Sequence, residues 1–184
     1  VDGVDALQIA AFKGNIDVAK LLLSSGAKIS TKNNRGMNLL IAALASASRN
    51  NDHFIIFQMV EFLVNNGCKI NSPDNSGTTP LMYAINFKVK RCVMYLFNKN
   101  ADFRVKTKNN KTVLMFAAEA GDIELVKAMM KKGLYVKDKQ KDGKTALFYA
   151  IESDNIDIVD LLLKAGAEVK SAWKNNIYPL DAAI

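Results

Sequence analysis

The chain repeats itself about every 33 residues, and this period constrains its fold more than any other feature. With Leu7, Leu40, Leu81, Leu114, Leu147 and Leu180 as anchors, the gaps are 33, 41, 33, 33 and 33 residues. Three positions after each anchor stands an alanine: Ala10, Ala43, Ala84, Ala117, Ala150 and Ala183. Four positions before it stands Gly3, Gly36, Gly77, Asn110, Gly143 or Asn176, residue types that tolerate the positive φ of a tight turn. A period of this length marks one supersecondary unit that cannot bury its apolar side alone and relies on the next copy to cover it.

After each anchor the apolar spacing is helical, and a second helical segment follows, as in IDVAKLLLSSGA, FQMVEFLVNNGC and IDIVDLLLKAGA. The second segments stop at Gly26, Gly67, Asn100, Gly133 and Gly166, where a left-handed residue closes a helix C-terminus. Each unit reads as turn, short helix, longer helix, turn. The pattern resembles the ankyrin repeat over essentially the whole chain. GTTPLMYA, from Gly77 to Ala84, matches the family's T-P-L-H-x-A signature best, and GKTALFYA from Gly143 supports it. Where the family usually has His after the anchor, this chain has Gln8, Ile41, Met82, Met115, Phe148 and Asp181, which predicts less regular turn hydrogen bonding in the same fold. The expected architecture is an all-α ankyrin-repeat solenoid of stacked helix-turn-helix units with β-turn fingers. It forms a single array over residues 1–184, with units at about 1–33, 34–74, 75–107, 108–140 and 141–173 and a partial unit at 174–184.

The one irregular gap is 8 residues longer than the others. Registering Phe57 against Ile16, Ile123 and Ile156 places the extra length between the two helices of unit 34–74, around Ala45 to Asp52, with the first helix extended by a turn through ALASAS. Surface connections accept such insertions at about 0.6 kcal/mol per doubling of loop length. The functional alternative is that the insertion reshapes one rim of a binding groove. His53, the single histidine, has no second His, Cys or acidic cluster in ligand spacing, so it reads as an exposed loop residue rather than a metal ligand or base. Lys88 replaces the inter-helix glycine of Gly14 and Gly121, and Lys90 occupies the apolar column of Ile16, Phe57, Ile123 and Ile156. This reads as a locally reshaped turn with the Lys90 stem reaching outward; the alternative is a basic spot of Lys88, Lys90 and Arg91.

Composition narrows the function. With 49% apolar and 23% charged residues, the chain has the balance of a soluble globular protein. No apolar run approaches the roughly 18 residues that span a bilayer, and VDGVDALQIA lacks the features of a secretory signal, so no membrane contact is expected. Cys68 falls in the small-residue column of Ala27, Ala101 and Ala167, and Cys92 in the column of Val18, Leu125 and Ile158, so both are expected in the core. Two such cysteines make no disulfide framework, which fits a reducing, cytoplasmic setting. The sequence has no Gly-rich phosphate loop, no H-E-x-x-H and no G-x-S-x-G elbow. Neither an enzyme nor any cofactor or metal is expected. The first residue is not Met and the last unit stops after its first helix, so the chain is expected to continue in a longer protein.

The resemblance implies a partner that is another protein, held by the fingers and the inner face of the first helices. In the family's variable columns lie Arg35, Met37, Lys108, Lys111, Lys141, Lys144 and Lys174 on the fingers, and Phe12 and Phe87 at the first helices. The two aromatics are either contact anchors or folded onto neighbours. Arg104, Lys106 and Lys108 alternate with period two, which puts them on one face of an extended finger, and Lys137, Lys139 and Lys141 repeat this 33 residues later. Stacked rows of like charge need solvent, interleaved acids such as Asp138 and Asp142, or an anionic partner. The net charge of +7 points toward acidic partners. The expectation is a monomeric, non-enzymatic protein-binding module with an acidic partner for its lysine edge. Its candidate contact residues are Phe12, Arg35, Met37, Phe87, Lys106, Lys108, Lys111, Lys139, Lys141, Lys144 and Lys174. The alternatives are nucleic-acid binding through the lysine-rich fingers, which is disfavoured, and a regulatory array of a larger enzyme.

Overall fold

A computed structural model describes residues 3–49 and 52–169, and these fold into ten α-helices with no strand. The first helices of successive repeats are α1 (Ala6–Lys13), α3 (Leu39–Ala45), α5 (Pro80–Asn86), α7 (Val113–Ala120) and α9 (Ala146–Glu152). Their partners are α2 (Ile16–Ser24), α4 (His53–Asn65), α6 (Lys90–Asn98), α8 (Ile123–Lys131) and α10 (Ile156–Lys164). Nearly every helix begins where the sequence supplies an oxygen for an unpaired N–H. Asp5, Asn38, Thr79, Thr112 and Thr145 cap the first helices, and Asn15, Asp52, Asp122 and Asn155 cap four of the second ones.

Before each first helix from α3 onward a finger turn closes with the same pair of bonds. Asn33 N donates to Met37 O at 3.1 Å while Gly36 N donates to Asn33 O at 2.8 Å, and Asp74, Thr107 and Gln140 repeat the arrangement. Asn110 holds the glycine position of its finger at φ 63. Neighbouring fingers are bonded to each other: Asn75 N donates to Arg35 O at 2.8 Å, and Lys141 N donates to Asn109 O at 3.2 Å. Gly36 is required here, because its φ is +73 and a Cβ would lie 2.9 Å from Asn75 N.

The packing forms two compact units, Val1–Phe103 and Arg104–Ile184. In the first, α1 packs on α3 and α3 on α5, with α2 on α4 and α4 on α6 behind them; in the second, α7 packs on α9 and α8 on α10. Leu7, Leu40, Leu81, Leu114 and Leu147 are each at most 2% exposed, and the five alanines that follow them are at most 4% exposed and let the backbones approach. Each fully buried leucine contributes roughly 1.5–3 kcal/mol. Cys68 and Cys92 are buried as well, and burial pushes the Cys92 thiol up to about 12, which leaves it unreactive at neutral pH. Leu180, Ala183, Asn176, Asp181, Lys170, Lys174 and the partial unit 174–184 lie outside the described residues.

Two local readings change. The turn at Lys88 is not reshaped: Lys88 takes φ 56, close to the 71 of Gly14 and Gly121, a conformation uncommon for a residue with a Cβ, and its side chain stands in solvent. Nor is the insertion all connection. After α3 the chain makes a 3₁₀ turn at Ser46–Ser48, but α4 begins at His53, a full turn before Phe57. Asp52 caps that added turn by accepting from Phe54 N and Ile55 N, both at 3.1 Å. Ile56 is buried, and Ile55 occupies the space that a Cβ on Gly14 would need. Packing of the buried Ile56 and the half-buried Ile55 draws the segment into helix, and His53 is an exposed residue of its first turn rather than of a loop.

Candidate functional site

A recess of about 460 Å³ lies on the first-helix side of the first unit. Helix α1 contributes Gln8, Ile9 and Phe12, with Gln8 and Phe12 one turn apart on the same face. The finger before α3 contributes Asn33, Arg35 and Met37, and α3 contributes Ala42 and Ala45, whose small side chains leave the space open. Ser48 and Arg49 come from the insertion, and Phe87 from the end of α5. Four of the residues selected from the sequence, Phe12, Arg35, Met37 and Phe87, therefore line one cavity, although 75 positions separate the first from the last.

The aromatics are partly folded onto neighbours and remain half-buried. The Arg49 guanidinium lies 5.9 Å from the centre of the Phe12 ring, and the Phe87 ring lies 6.1 Å from that of Tyr83. Among the described residues that line the recess, the charged ones are Arg35 and Arg49, both exposed, and none is a carboxylate. Asp74 on the next finger is committed elsewhere: it accepts from Ser76 N, Ser76 Oγ, Thr78 N and Tyr83 Oη. Burial, then that bond to Asp74, pushes the Tyr83 phenol up to about 12. Gln8, 1% exposed, donates through Nε2 to Met37 O at 2.8 Å. Sequence reasoning missed Gln8 and Arg49 as site residues. The signals were there, in the departure from His after the anchor and in the insertion beside the groove.

The lysines of the second unit are placed differently. Exposure alternates along residues 104–108 and 137–141, as the period-two pattern requires. Lys106 pairs with Asp138 at 2.8 Å, however, and Lys139 with Glu168 at 3.1 Å. Lys111, only 15% exposed, pairs with Glu119 at 2.6 Å and sits 4.4 Å from the Phe116 ring centre and 4.1 Å from that of Tyr149. Lys144 lies 4.4 Å over Phe148. Lys108 and Lys141 remain exposed, and Lys174 lies outside the described residues. In the alternative basic spot Lys88, Lys90 and Arg91 are all exposed, and the Arg91 guanidinium stacks 4.2 Å over Phe57 and 5.7 Å from Phe54. Among the described residues no group of three or more His, Cys, Asp or Glu could hold a metal, and no helix is long and apolar enough to cross a membrane.

Comparison with known proteins agrees with this architecture. The family profile for ankyrin repeats, in three copies, matches residues 7–107 and 86–172. The Drosophila melanogaster Neurogenic locus Notch protein is 33% identical over 100 residues, which is 54% of this chain and 3% of that protein. The Homo sapiens Neurogenic locus notch homolog protein 2 is 34% identical over 100 residues, 54% of this chain and 4% of that protein. The chain thus spans a few per cent of the length of these relatives. With its period, capped helix pairs, stacked finger turns and a profile match over most of its length, the chain belongs to the ankyrin-repeat family.

Proposed function

We propose that this chain is a monomeric, cytoplasmic recognition module whose main contact surface is the recess of the first unit. Ankyrin repeats are generally protein–protein interaction modules and typically non-enzymatic. The observation that carries this reading is the convergence of Phe12, Arg35, Met37 and Phe87, from three successive repeats, on one open cavity. Half-buried aromatics beside arginines are the residue types that dominate binding energy at interfaces. Lys108 and Lys141 add an exposed cationic edge for an acidic partner. Nucleic-acid binding through the same fingers is weakened as a reading, because Lys106 and Lys139 already face carboxylates.

A photo-crosslinking amino acid at Met37, compared with one at Met94 on α6, which is 61% exposed, tests the proposal in cell extract. Adducts that form from position 37 and not from position 94 support it. Equal labelling from both positions, or none from 37, removes the recess as the contact surface.

A further inference from the structure

The recess has two features that its apolar walls do not explain. The first is Gln8. Met37 O can only accept, so Gln8 Nε2 must face it, and Oε1 is left with no hydrogen-bond partner in the protein. Among the described residues it is the one buried side-chain nitrogen or oxygen in that position. An unmatched buried acceptor carries an uncompensated desolvation cost, which a donor from outside would recover. The second feature is charge: Arg35 and Arg49 flank an apolar floor, with no carboxylate among the described lining residues. A neutral or basic occupant would crowd two guanidiniums without a counter-charge, whereas carboxylates would meet them in charge-assisted bonds.

Volume and backbone chemistry narrow the occupant further. About 460 Å³ admits a side chain and its flanking backbone and excludes a folded domain. The body of a helix has no free backbone N–H, whereas an extended segment presents one at every other residue, so a backbone donor for Gln8 Oε1 fits an extended segment best. Taking the recess as the contact surface, on which this step rests, we infer that its occupant is an extended acidic segment of a partner protein. One apolar side chain of that segment enters between Phe12 and Phe87, carboxylates on either side of it meet Arg35 and Arg49, and one of its N–H groups donates to Gln8 Oε1.

The test selects a phage-displayed library of random linear peptides on the immobilised chain and measures recovered peptides by fluorescence polarisation. The variants are Arg35→Glu with Arg49→Glu, Phe87→Ala and Gln8→Met, with Phe87→Leu replacing Phe87→Ala if melting shows that the latter does not fold. The expected peptides carry Asp or Glu on both sides of an apolar residue. Charge reversal and Phe87 truncation each weaken them at least about tenfold, and Gln8→Met weakens them about fivefold. Peptides that need Phe87 but lack acids, or that tolerate the charge reversal, overturn the acidic occupant while the recess stands as a contact surface. Peptides indifferent to Phe87, or no binders at all, overturn the recess reading and this inference with it.

Discussion

The recess of the first unit and the lysine edge of the second arise from the same columns of the repeat, occupied by different residues. The column that gives Met37 gives Lys111 and Lys144; the column of Phe12 and Ala45 gives Glu119; the column of Ile9 and Ala42 gives Phe116 and Tyr149. In the first unit, small Ala42 and Ala45 leave volume that larger neighbours surround. In the second, Phe116 and Tyr149 fill the equivalent positions, and Lys111 closes over them while pairing with Glu119. One scaffold therefore yields an open pocket or a sealed surface, depending on side-chain size in two columns. A cation that is already paired and packed has less to offer a partner than an exposed one does.

The largest effect is expected from giving the first unit the filling of the second. Ala42→Phe places a ring in the recess and lowers binding of the selected peptides more than tenfold, with a stability change of about 1–3 kcal/mol, read by polarisation and urea unfolding. If binding survives, the open volume is not what the partner uses. Next, Lys111→Ala leaves Glu119 uncompensated and uncovers two rings, so urea unfolding should register a loss of about 1–2 kcal/mol, against less than about 0.5 for Lys108→Ala. Equal values would mean that the two lysines, three positions apart, are not in different environments. A double-mutant cycle on Lys106 and Asp138, roughly half- and three-quarters-buried, should give about 0.2–1 kcal/mol at low salt and nothing measurable at about 1 M.

The smallest expected difference between the units lies in alkali. Tyr83 and Tyr149 occupy one column, and both phenols are pushed up to about 12, by burial first, then by the Asp74 bond and the Glu119 charge respectively. A folded-state value above the ordinary tyrosine range of about 10 means that the neutral phenols stabilise the fold fully below pH 10, and that this contribution is lost as pH rises toward 12. Melting followed from about pH 9 upward should show that Tyr83→Phe and Tyr149→Phe each remove part of the alkaline loss, in similar amounts. A loss that neither substitution reduces would place its origin elsewhere.

Some of this was open to reading along the chain. Positive φ at Asn100 and Asn110, burial of the five described anchors and the caps at Thr79, Thr112 and Thr145 are each properties of one column and its own backbone. The candidate contacts could be chosen column by column as well. What could not be read was which of them share a cavity, because that depends on the volume left between columns.

The sequence by itself determined the repeat, its turns, its helix boundaries to within about a turn and the identity of its buried stripe, because hydrophobic periodicity and local backbone preference act over a few residues. Tertiary structure alone decided that Phe12 and Phe87 face one recess, that Gln8 keeps an unmatched oxygen there, that Ile55 against Gly14 adds a turn to α4, and that Lys106 reaches Asp138. These depend on which side chains from distant positions fill, fall short of, or reach across the same space, and no single column contains that difference.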